Sequence, residues 1–252
     1  MQTPRPRTQS ATSGPLPTAG ESLTLIVSSH LAQVRSRIRA AEVRFGRPPG
    51  SVTLLAVSKK QGTDKIRAAY TAGQSAFGES YLNEALEKID ALADLKLEWH
   101  FIGHIQGNKT RQISEHFAWV HGLDDLRHAR RLSQQRPPNL PPLKACIQIN
   151  LSAEASKGGV PAETAADLLL GCRELPNIEI VGLMTLPAPV ALEAAQRPPF
   201  HALRLLRDRL ATSDSPLPEL SMGMSADLEA AIAEGATMVR VGTAVFGERR
   251  AN

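Results

Sequence analysis

The strongest constraint on the fold is a regular alternation between short apolar runs and amphipathic segments, which continues from residue 51 to residue 242. Each run is apolar on both faces, as expected for strands of a parallel sheet that helices cover on both sides. The segments between the runs carry apolar residues at helical spacing. Eight strands are predicted, at 51–59, 74–79, 98–103, 117–123, 143–151, 178–186, 217–223 and 237–242.

A helix precedes the first strand, because Val27, Leu31, Val34 and Ile38 recur at helical spacing. Seven more helices are predicted between the strands, at 63–73, 80–92 (with Ser80 as its N-cap), 106–114, 124–135, 161–175, 200–210 and 225–235. Eight strand–helix units predict an α/β protein formed by one closed (β/α)8 barrel of the TIM type. An open doubly wound sheet is the alternative. Its nucleotide-binding form is disfavoured because no Gly-x-Gly-x-x-Gly follows an early strand.

Residues 1–20 contain many Pro, Thr, Ser and Gly residues and almost no large apolar ones. Such a segment buries too little surface to offset the entropy lost on ordering. We therefore expect a disordered tail at 1–20 and a single barrel domain at 21–252, with the extra helix at its start. A basic start without acidic residues also fits a transit peptide, but the prolines break the amphipathic helix that such peptides need.

Composition argues against several functional classes. The formal net charge of the 252-residue chain is +4, which is too small to indicate a nucleic-acid-binding protein. No apolar run approaches the roughly 20 residues needed to span a membrane. Cys146 and Cys172 are the only cysteines and no signal peptide is recognisable, so we expect a cytoplasmic protein without a disulfide. His100 and His104 have a metal-ligand spacing, but no cysteine or acidic cluster completes a site, so none is predicted.

The active site of a (β/α)8 barrel lies at the carboxyl ends of its strands. Lys59 and Lys60 follow the first strand. Partial burial of an amine favours its neutral, nucleophilic form, as Schiff-base formation requires. The alternative is that both lysines simply meet water where the strand ends. Side chains alternate along a strand, so the two lysines point to opposite faces, but alternation does not say which one faces the barrel interior.

Phosphate commonly binds at the loops after strands seven and eight of such a barrel. Ser221 and Gly223 end the seventh strand, and Gly242 and Thr243 follow the eighth. Small residues of this kind let backbone N–H groups approach an anion. Arg240 lies on the eighth strand, and a buried arginine requires a hydrogen-bond acceptor. The alternatives are plain helix capping after strand seven and a structural carboxylate partner for Arg240.

Strands one and eight are neighbours in a closed barrel, so these residues combine an amine with two anion-binding loops. One ligand that carries both an aldehyde and a phosphate would satisfy all three features. Pyridoxal 5′-phosphate (PLP) is such a ligand.

Six ordered motifs resemble those of the pyridoxal phosphate homeostasis proteins, which are similar to the N-terminal barrel of alanine racemase standing alone. They span roughly residues 23–250 and read LLAVSKK (54–60), FGESYLNE (77–84), WHFIGHIQGNK (99–109), IQINLSAEASKGG (147–159), GLMT (182–185) and SMGMSADLEAAIAEGATMVRVGTAVFGER (221–249). The sequence departs from the family at Ser80, where Asn is usual, at His104, where Pro is usual, and at 120–124 (VHGLD), where a stretch like Ile-His-Ser-Val-Asp is usual.

The resemblance implies a role for each candidate site residue. It implies that Lys59 holds PLP as a Schiff base and that Arg240 faces the pyridine nitrogen. It also implies that four residues bind the phosphate, namely Ser221, Gly223, Gly242 and Thr243.

We expect a monomeric PLP-binding protein of intracellular PLP homeostasis, without catalytic turnover, that delivers the cofactor to apo-enzymes. An arginine opposite the pyridine nitrogen stays protonated and leaves that nitrogen unprotonated, so the ring is a weak electron sink. Tyr70 and Tyr81 are the only tyrosines, both are predicted on helices, and no residues remain for the second domain of a racemase. One alternative is a PLP-dependent, racemase-like enzyme of fold type III. Another is a barrel aldolase that uses Lys59 on a phosphosugar without any cofactor.

Overall fold

The computed structural model describes residues 18–151, 158–190 and 192–248. All eight predicted strands are present, and their ends lie within three residues of the predicted ones. They are β1 (Thr53–Val57), β2 (Ala76–Glu79), β3 (Glu98–Phe101), β4 (Trp119–Leu123), β5 (Leu143–Gln148), β6 (Ile178–Met184), β7 (Glu219–Ser221) and β8 (Met238–Val241).

Helices alternate with these strands throughout the described ranges. They are α1 (Ala19–Arg44), α2 (Thr63–Thr71), α3 (Leu82–Ala91), α4 (Thr110–His116), α5 (Leu126–Gln135), α6 (Ala165–Cys172), α7 (Glu193–Leu210), α8 (Leu228–Ala233) and α9 (Thr243–Phe246). The four-residue α9 follows the last strand and was not predicted.

The strands form a closed parallel barrel in which chain neighbours are also sheet neighbours. The predicted (β/α)8 barrel is therefore confirmed. β1 pairs with β8 in a register that sets Leu55 opposite Arg240. This pairing brings the carboxyl ends of β1 and β8 together at one mouth of the barrel. α1 packs against α2, α8 and α9 on the outside of this seam.

α1 begins at Ala19, inside the segment predicted to be disordered. Thr18 and Glu21 form a reciprocal capping box, in which the Thr18 N–H donates to Glu21 Oε2 at 2.7 Å and the Glu21 N–H donates to Thr18 Oγ1 at 3.3 Å. These two bonds satisfy donors that the first turn otherwise leaves unpaired, so the helix starts here. Residues 1–17, the rest of the predicted tail, lie outside the described residues.

α7 also begins earlier than predicted, at Glu193 rather than residue 200. Pro198 and Pro199 favoured the later start, since proline disrupts a helix interior. The turn before them is held by an ion pair between Arg197 and Glu234, with Nη2 2.5 Å from Oε1 at the end of α8. A contact distant in sequence thus extends this helix.

Apolar side chains fill two layers that the strands separate. Leu54 and Ala56 belong to the outer layer, between the strands and the helices. Leu55 belongs to the inner layer, inside the barrel. Leu55 faces inward, and continuing this alternation past the end of β1 at Val57 directs Lys59 to the inner side and Lys60 away from it. The packing therefore resolves the choice that the sequence left open.

Candidate ligand-binding site

Lys59 lies in the turn directly after β1, where it is half-buried, whereas Lys60 is exposed. Lys60 has a left-handed backbone (φ 60°), which turns the chain away from the barrel. The Lys59 Nζ donates to Ser80 Oγ at 3.2 Å. Ser80 was predicted to cap α3, and this was wrong, because α3 begins at Leu82 with Tyr81 as its N-cap. The Ser80 hydroxyl faces the lysine amine instead.

A buried ionic cluster holds the Lys59 turn from beneath. Lys88 of α3 donates through Nζ to the Ser58 carbonyl at 2.7 Å, to Glu79 Oε1 at 2.8 Å and to Glu84 Oε1 at 2.6 Å. The Ser58 hydroxyl donates to Glu79 Oε1 at 2.7 Å. Burial raises the pKa of Glu79, although the bonds from Lys88 and Ser58 oppose that rise. The residue before Lys59 is therefore fixed through both its carbonyl and its hydroxyl.

Arg240 of β8 is 4% exposed and points into the barrel. Its Nη1 donates to Ser221 Oγ at 2.7 Å and its Nη2 donates to the Thr185 carbonyl at 2.8 Å. Burial lowers the pKa of the guanidinium to about 10, so it remains a cation at neutral pH. The predicted need for an acceptor is met by a hydroxyl and a carbonyl rather than by a carboxylate.

The loop after β7 is shaped by Gly223 and Asp227. Gly223 has a φ of +93°, and a Cβ at this position would lie 2.5 Å from the Ala231 Cβ, so only glycine fits. The buried Asp227 accepts a hydrogen bond from the Met224 N–H at 2.5 Å. These constraints direct the segment 224–226 towards the mouth of the barrel.

The loop after β8 passes close to the end of β1. A Cβ on Gly242 would lie 3.1 Å from the Val57 carbonyl oxygen, so the absence of a side chain allows this approach. Thr243 follows directly, with an exposed hydroxyl-bearing side chain. The loop that carries Thr243 is thus held beside the turn that carries Lys59.

These elements surround a cavity of about 270 Å³, close to the lower end of the range for small-ligand sites. The wall combines an apolar side, a lysine amine, a guanidinium and two polar loops. Its residues are Val57, Lys59, Ile102, Met184, Leu186, Met224, Ser225, Ala226, Arg240, Gly242 and Thr243.

Four of the six predicted site residues meet at this cavity, namely Lys59, Arg240, Gly242 and Thr243. Ser221 is 1% exposed, and its hydroxyl bonds to Arg240 and to His121 Nδ1 (2.8 Å), so it supports the arginine from behind. Gly223 is packed against α8. Neither residue lines the cavity, and the contact of Ser221 and Gly223 with the phosphate stays a prediction.

Ser225 was missed as a site residue, because the sequence placed it at the start of a helix as a simple cap. In the structure α8 begins three residues later, at Leu228, and Ser225 lines the cavity. The apolar wall was also missed. Ile102 follows β3, Met184 ends β6 and Leu186 lies just beyond it, so strand-end position was the signal that could have identified them.

The two histidines with metal-ligand spacing differ in burial. His100 is fully buried inside the barrel and the His104 side chain is 66% exposed. Among the described residues, no three His, Cys, Asp or Glu side chains cluster in a way that could hold a metal ion. Within the same residues, no helix has the length and apolar character that crossing a membrane requires.

Comparison with known proteins gives consistent relatives. Residues 29–250 match the family model "Alanine racemase, N-terminal domain". The chain is 53% identical to the pyridoxal phosphate homeostasis protein of Pseudomonas aeruginosa over 88% of this chain and 96% of the relative. It is 46% identical to the protein of the same name in Escherichia coli K12, over 88% and 97% of the two chains.

A solved structure adds to these relatives. PipY of Synechococcus elongatus, determined with PLP bound, is 36% identical with a TM-score of 0.78, over 88% of this chain and all of that chain. Both the sequence and the barrel therefore agree with the predicted resemblance. The chain belongs to the pyridoxal phosphate homeostasis protein family, built on the barrel of the alanine racemase N-terminal domain.

Proposed function

We propose that this protein binds PLP in the cavity at the mouth of the barrel and serves intracellular PLP homeostasis as a carrier without catalytic turnover. One observation carries the proposal: a lysine amine, a buried guanidinium and two polar loops line a single small cavity. Relatives bear the name of this function, and PipY has been solved with PLP bound.

The residues of the cavity fit this cofactor group by group. Ile102, Met184 and Leu186 offer an apolar wall for a flat ring. Ser225 and Thr243 offer hydroxyl donors for a phosphate, and Gly242 lets backbone approach it. PLP supplies an aldehyde that condenses reversibly with an amine, and Lys59 is the amine assigned to it.

Arg240 is assigned to the pyridine nitrogen. A guanidinium has five N–H donors and no acceptor, and Arg240 spends two donors on Ser221 and Thr185. It keeps donors for an acceptor in the cavity and stays protonated at neutral pH. A ring nitrogen that only accepts remains uncharged, which weakens the electron-withdrawing power on which PLP enzymes depend.

The position of the tyrosines also favours a carrier over a racemase. A two-base racemase needs a second acid or base within hydrogen-bond reach of the substrate. Tyr81 is 52% exposed and lines a different cavity, together with His104 and Lys109, and Tyr70 lies on α2. We further propose that the protein acts as a monomer in the cytoplasm and delivers PLP to apo-enzymes.

The test is transfer of the cofactor. PLP-loaded protein, freed of unbound PLP by gel filtration, is mixed with the apo form of a PLP-dependent aminotransferase. We expect the aminotransferase to become active, Lys60→Ala to behave like wild type and Lys59→Ala to deliver nothing after the same filtration. Amino-acid racemisation that Lys59→Ala abolishes would establish the enzyme alternative. A colourless protein that cleaves a phosphosugar would establish the aldolase.

A further inference from the structure

A chain of hydrogen-bonded side chains crosses the barrel interior beneath the cavity. His100 Nε2 lies 2.8 Å from Glu98 Oε1, His100 Nδ1 lies 3.0 Å from His121 Nε2, and His121 Nδ1 lies 2.8 Å from Ser221 Oγ. Ser221 Oγ in turn accepts from Arg240. The interior of such a barrel is usually filled by branched apolar side chains, so this polar chain requires an explanation.

The chain runs from one end of the barrel to the other. Glu98 opens β3 at the end opposite the cavity, and its side chain is 50% exposed. His100 and His121 are 0% exposed and Ser221 is 1% exposed. His100 stacks on Trp119, with ring centroids 5.2 Å apart and planes 11° apart. Stacking on Trp119 therefore fixes the orientation of the His100 ring, in addition to its hydrogen bonds.

The two ends of the chain determine the direction of every bond in it. Arg240 can only donate, and an ionised Glu98 can only accept. His100 must then donate from Nε2 to Glu98 and accept at Nδ1. His121 must donate from Nε2 to His100 and accept at Nδ1, so the Ser221 hydroxyl donates to His121 while it accepts from Arg240. The reverse order would set a bare His100 nitrogen against a carboxylate.

The charges around the chain agree with neutral imidazoles. Burial lowers the pKa of both His100 and His121, and the hydrogen bond from His100 lowers the pKa of Glu98. The groups that face His100 electrostatically are Glu98 on its own strand, Lys144 on β5 and Glu219 on β7. His121 faces His100 and the Arg240 cation.

We infer that Glu98, His100, His121 and Ser221 form a chain of fixed polarity that positions Arg240 as a hydrogen-bond donor to the ring nitrogen of the ligand. The inference deepens the proposed function and depends on it for the identity of that ligand. Ser221 offers Arg240 an acceptor and never a donor, so one edge of the guanidinium is held at the serine. The remaining N–H groups of the Arg240 guanidinium therefore point to the cavity. His121 and His100 are positioning residues, and Glu98 sets the direction.

The first measurement reads the chain directly, without cofactor. Two-bond ¹H–¹⁵N correlation spectra of the labelled protein report which nitrogen of each imidazole carries a proton. We expect both His100 and His121 to be neutral with the proton on Nε2 at pH 7. A proton on Nδ1 of either ring, or an imidazolium at either position, would overturn the inference.

The second measurement reads the consequence at the ligand. Wild type should bind PLP about 10-fold more tightly than 1-deazapyridoxal phosphate, which has carbon in place of the ring nitrogen. His121→Phe keeps a ring but removes the acceptor for Ser221, and it should reduce this preference to below about 3-fold. His121→Asn places an amide oxygen near the position of Nδ1 and should retain most of it. His104→Phe, at an exposed histidine outside the chain, is the control.

Different results would contradict the proposed function and the inferred polarity of the chain. Wild-type protein that binds no PLP contradicts the proposed function, and with it the role of Arg240 towards the ring. Protein that binds PLP with wrong tautomers, or with the same preference in wild type and His121→Phe, contradicts the polarity of the chain and leaves the proposed function standing.

Discussion

At the level of single residues, a side chain belongs to the candidate site only if it points to the inner side of the barrel. Lys59 and Lys60 are adjacent lysines in the turn after β1, yet only Lys59 lies on the inner side, where it lines the cavity, whereas Lys60 is exposed. Arg240 shares the inner face of β8 with Met238 in the same way. The seam between β1 and β8 then joins the amine and the guanidinium at one cavity.

The assignment of Thr243 to the phosphate predicts a selective loss. Thr243→Val should weaken PLP binding about 10-fold, because a hydrogen bond to a charged group contributes about 1.5 kcal/mol. Affinity for pyridoxal, which lacks the phosphate, should not change. Absorbance titrations of both ligands measure this difference. Thr71→Val, at an exposed threonine of α2, is the matched control, and equal losses for PLP and pyridoxal in Thr243→Val would refute the assignment.

At the scale of elements, the Lys59 turn depends on a buried ion pair between β2 and α3. The side chains of Lys88 and Glu79 are 7% and 0% exposed, respectively. Removing one partner of such a pair leaves an uncompensated buried charge, whereas replacing both by apolar residues is often tolerated. The exposed pair between Arg67 and Asp94 provides a contrast, since surface ion pairs contribute little.

We therefore expect Lys88→Met to lower the free energy of unfolding by about 3 kcal/mol. The double variant Lys88→Met/Glu79→Leu should be more stable than Lys88→Met alone, and Asp94→Ala should lower stability much less than Lys88→Met does. Urea denaturation followed by circular dichroism measures all three. A double variant that is less stable than Lys88→Met would contradict the account of the pair.

The start of α5 predicts a pH-dependent contribution to stability. Asp125 caps this helix by accepting from the Arg127 N–H at 2.7 Å, and the hydrogen bonds from the Arg127 side chain lower the pKa of its carboxyl to about 2. Because the folded pKa lies below the unfolded value of about 3.9, this stability is present above pH 4 and is lost as the pH falls to 2.

Asp125→Asn keeps a capping side chain but removes the charge. It should be less stable than wild type at pH 7 by under about 1 kcal/mol, since the group is near the surface. The difference should vanish between pH 4 and pH 2. Urea unfolding at several pH values tests this expectation, and a difference that stays constant with pH would exclude it.

At the scale of the whole molecule, α1 is the element that covers the barrel seam. Its Arg37 binds Glu229 of α8 through Nε and Nη2, at 2.8 and 2.9 Å, and its Leu31 is 0% exposed. Leu31→Ala should therefore cost about 2–5 kcal/mol of stability. Leu25→Ala, at a leucine of the same helix that is 64% exposed, should change stability by less than about 0.5 kcal/mol.

The domain boundary yields a truncation experiment. The capping box that starts α1 is formed by Thr18 and Glu21. Deletion of residues 1–17 should leave the melting temperature within about 2 °C of wild type, equivalent to at most about 1 kcal/mol, and leave PLP affinity unchanged. A large loss of either would show that the domain begins before residue 18.

The sequence predicted the strands well because a strand that is buried on both faces must be apolar throughout. Helix ends were harder to predict, since they depend on contacts that the local pattern does not contain. Arg197 and Glu234 extend α7 across a separation of 37 residues. The start of α1 was overlooked although Thr18 and Glu21 are visible in the sequence.

Only the part of the candidate site that depends on strand order could be predicted from the sequence. Strand order alone predicts that the Lys59–Lys60 turn, Arg240 and the loop at Gly242–Thr243 meet, because strands one and eight are neighbours in a closed barrel. The choice of Lys59 over Lys60 came from the family resemblance. The polar chain through His100 and His121 could not be predicted, because alternation does not reveal which face of a strand looks inward. The bonds of the Ser221 hydroxyl to His121 and Arg240 could not be predicted for the same reason, and its contact with the phosphate stays a prediction.

The central claim is that Lys59 is the amine that holds PLP. Borohydride reduction of the PLP-loaded protein, followed by proteolysis and mass spectrometry of the peptides, tests it most directly. We expect one phosphopyridoxyl adduct on Lys59, which is absent in Lys59→Ala and unchanged in Lys60→Ala. An adduct on Lys60, or no adduct on any peptide, would contradict it.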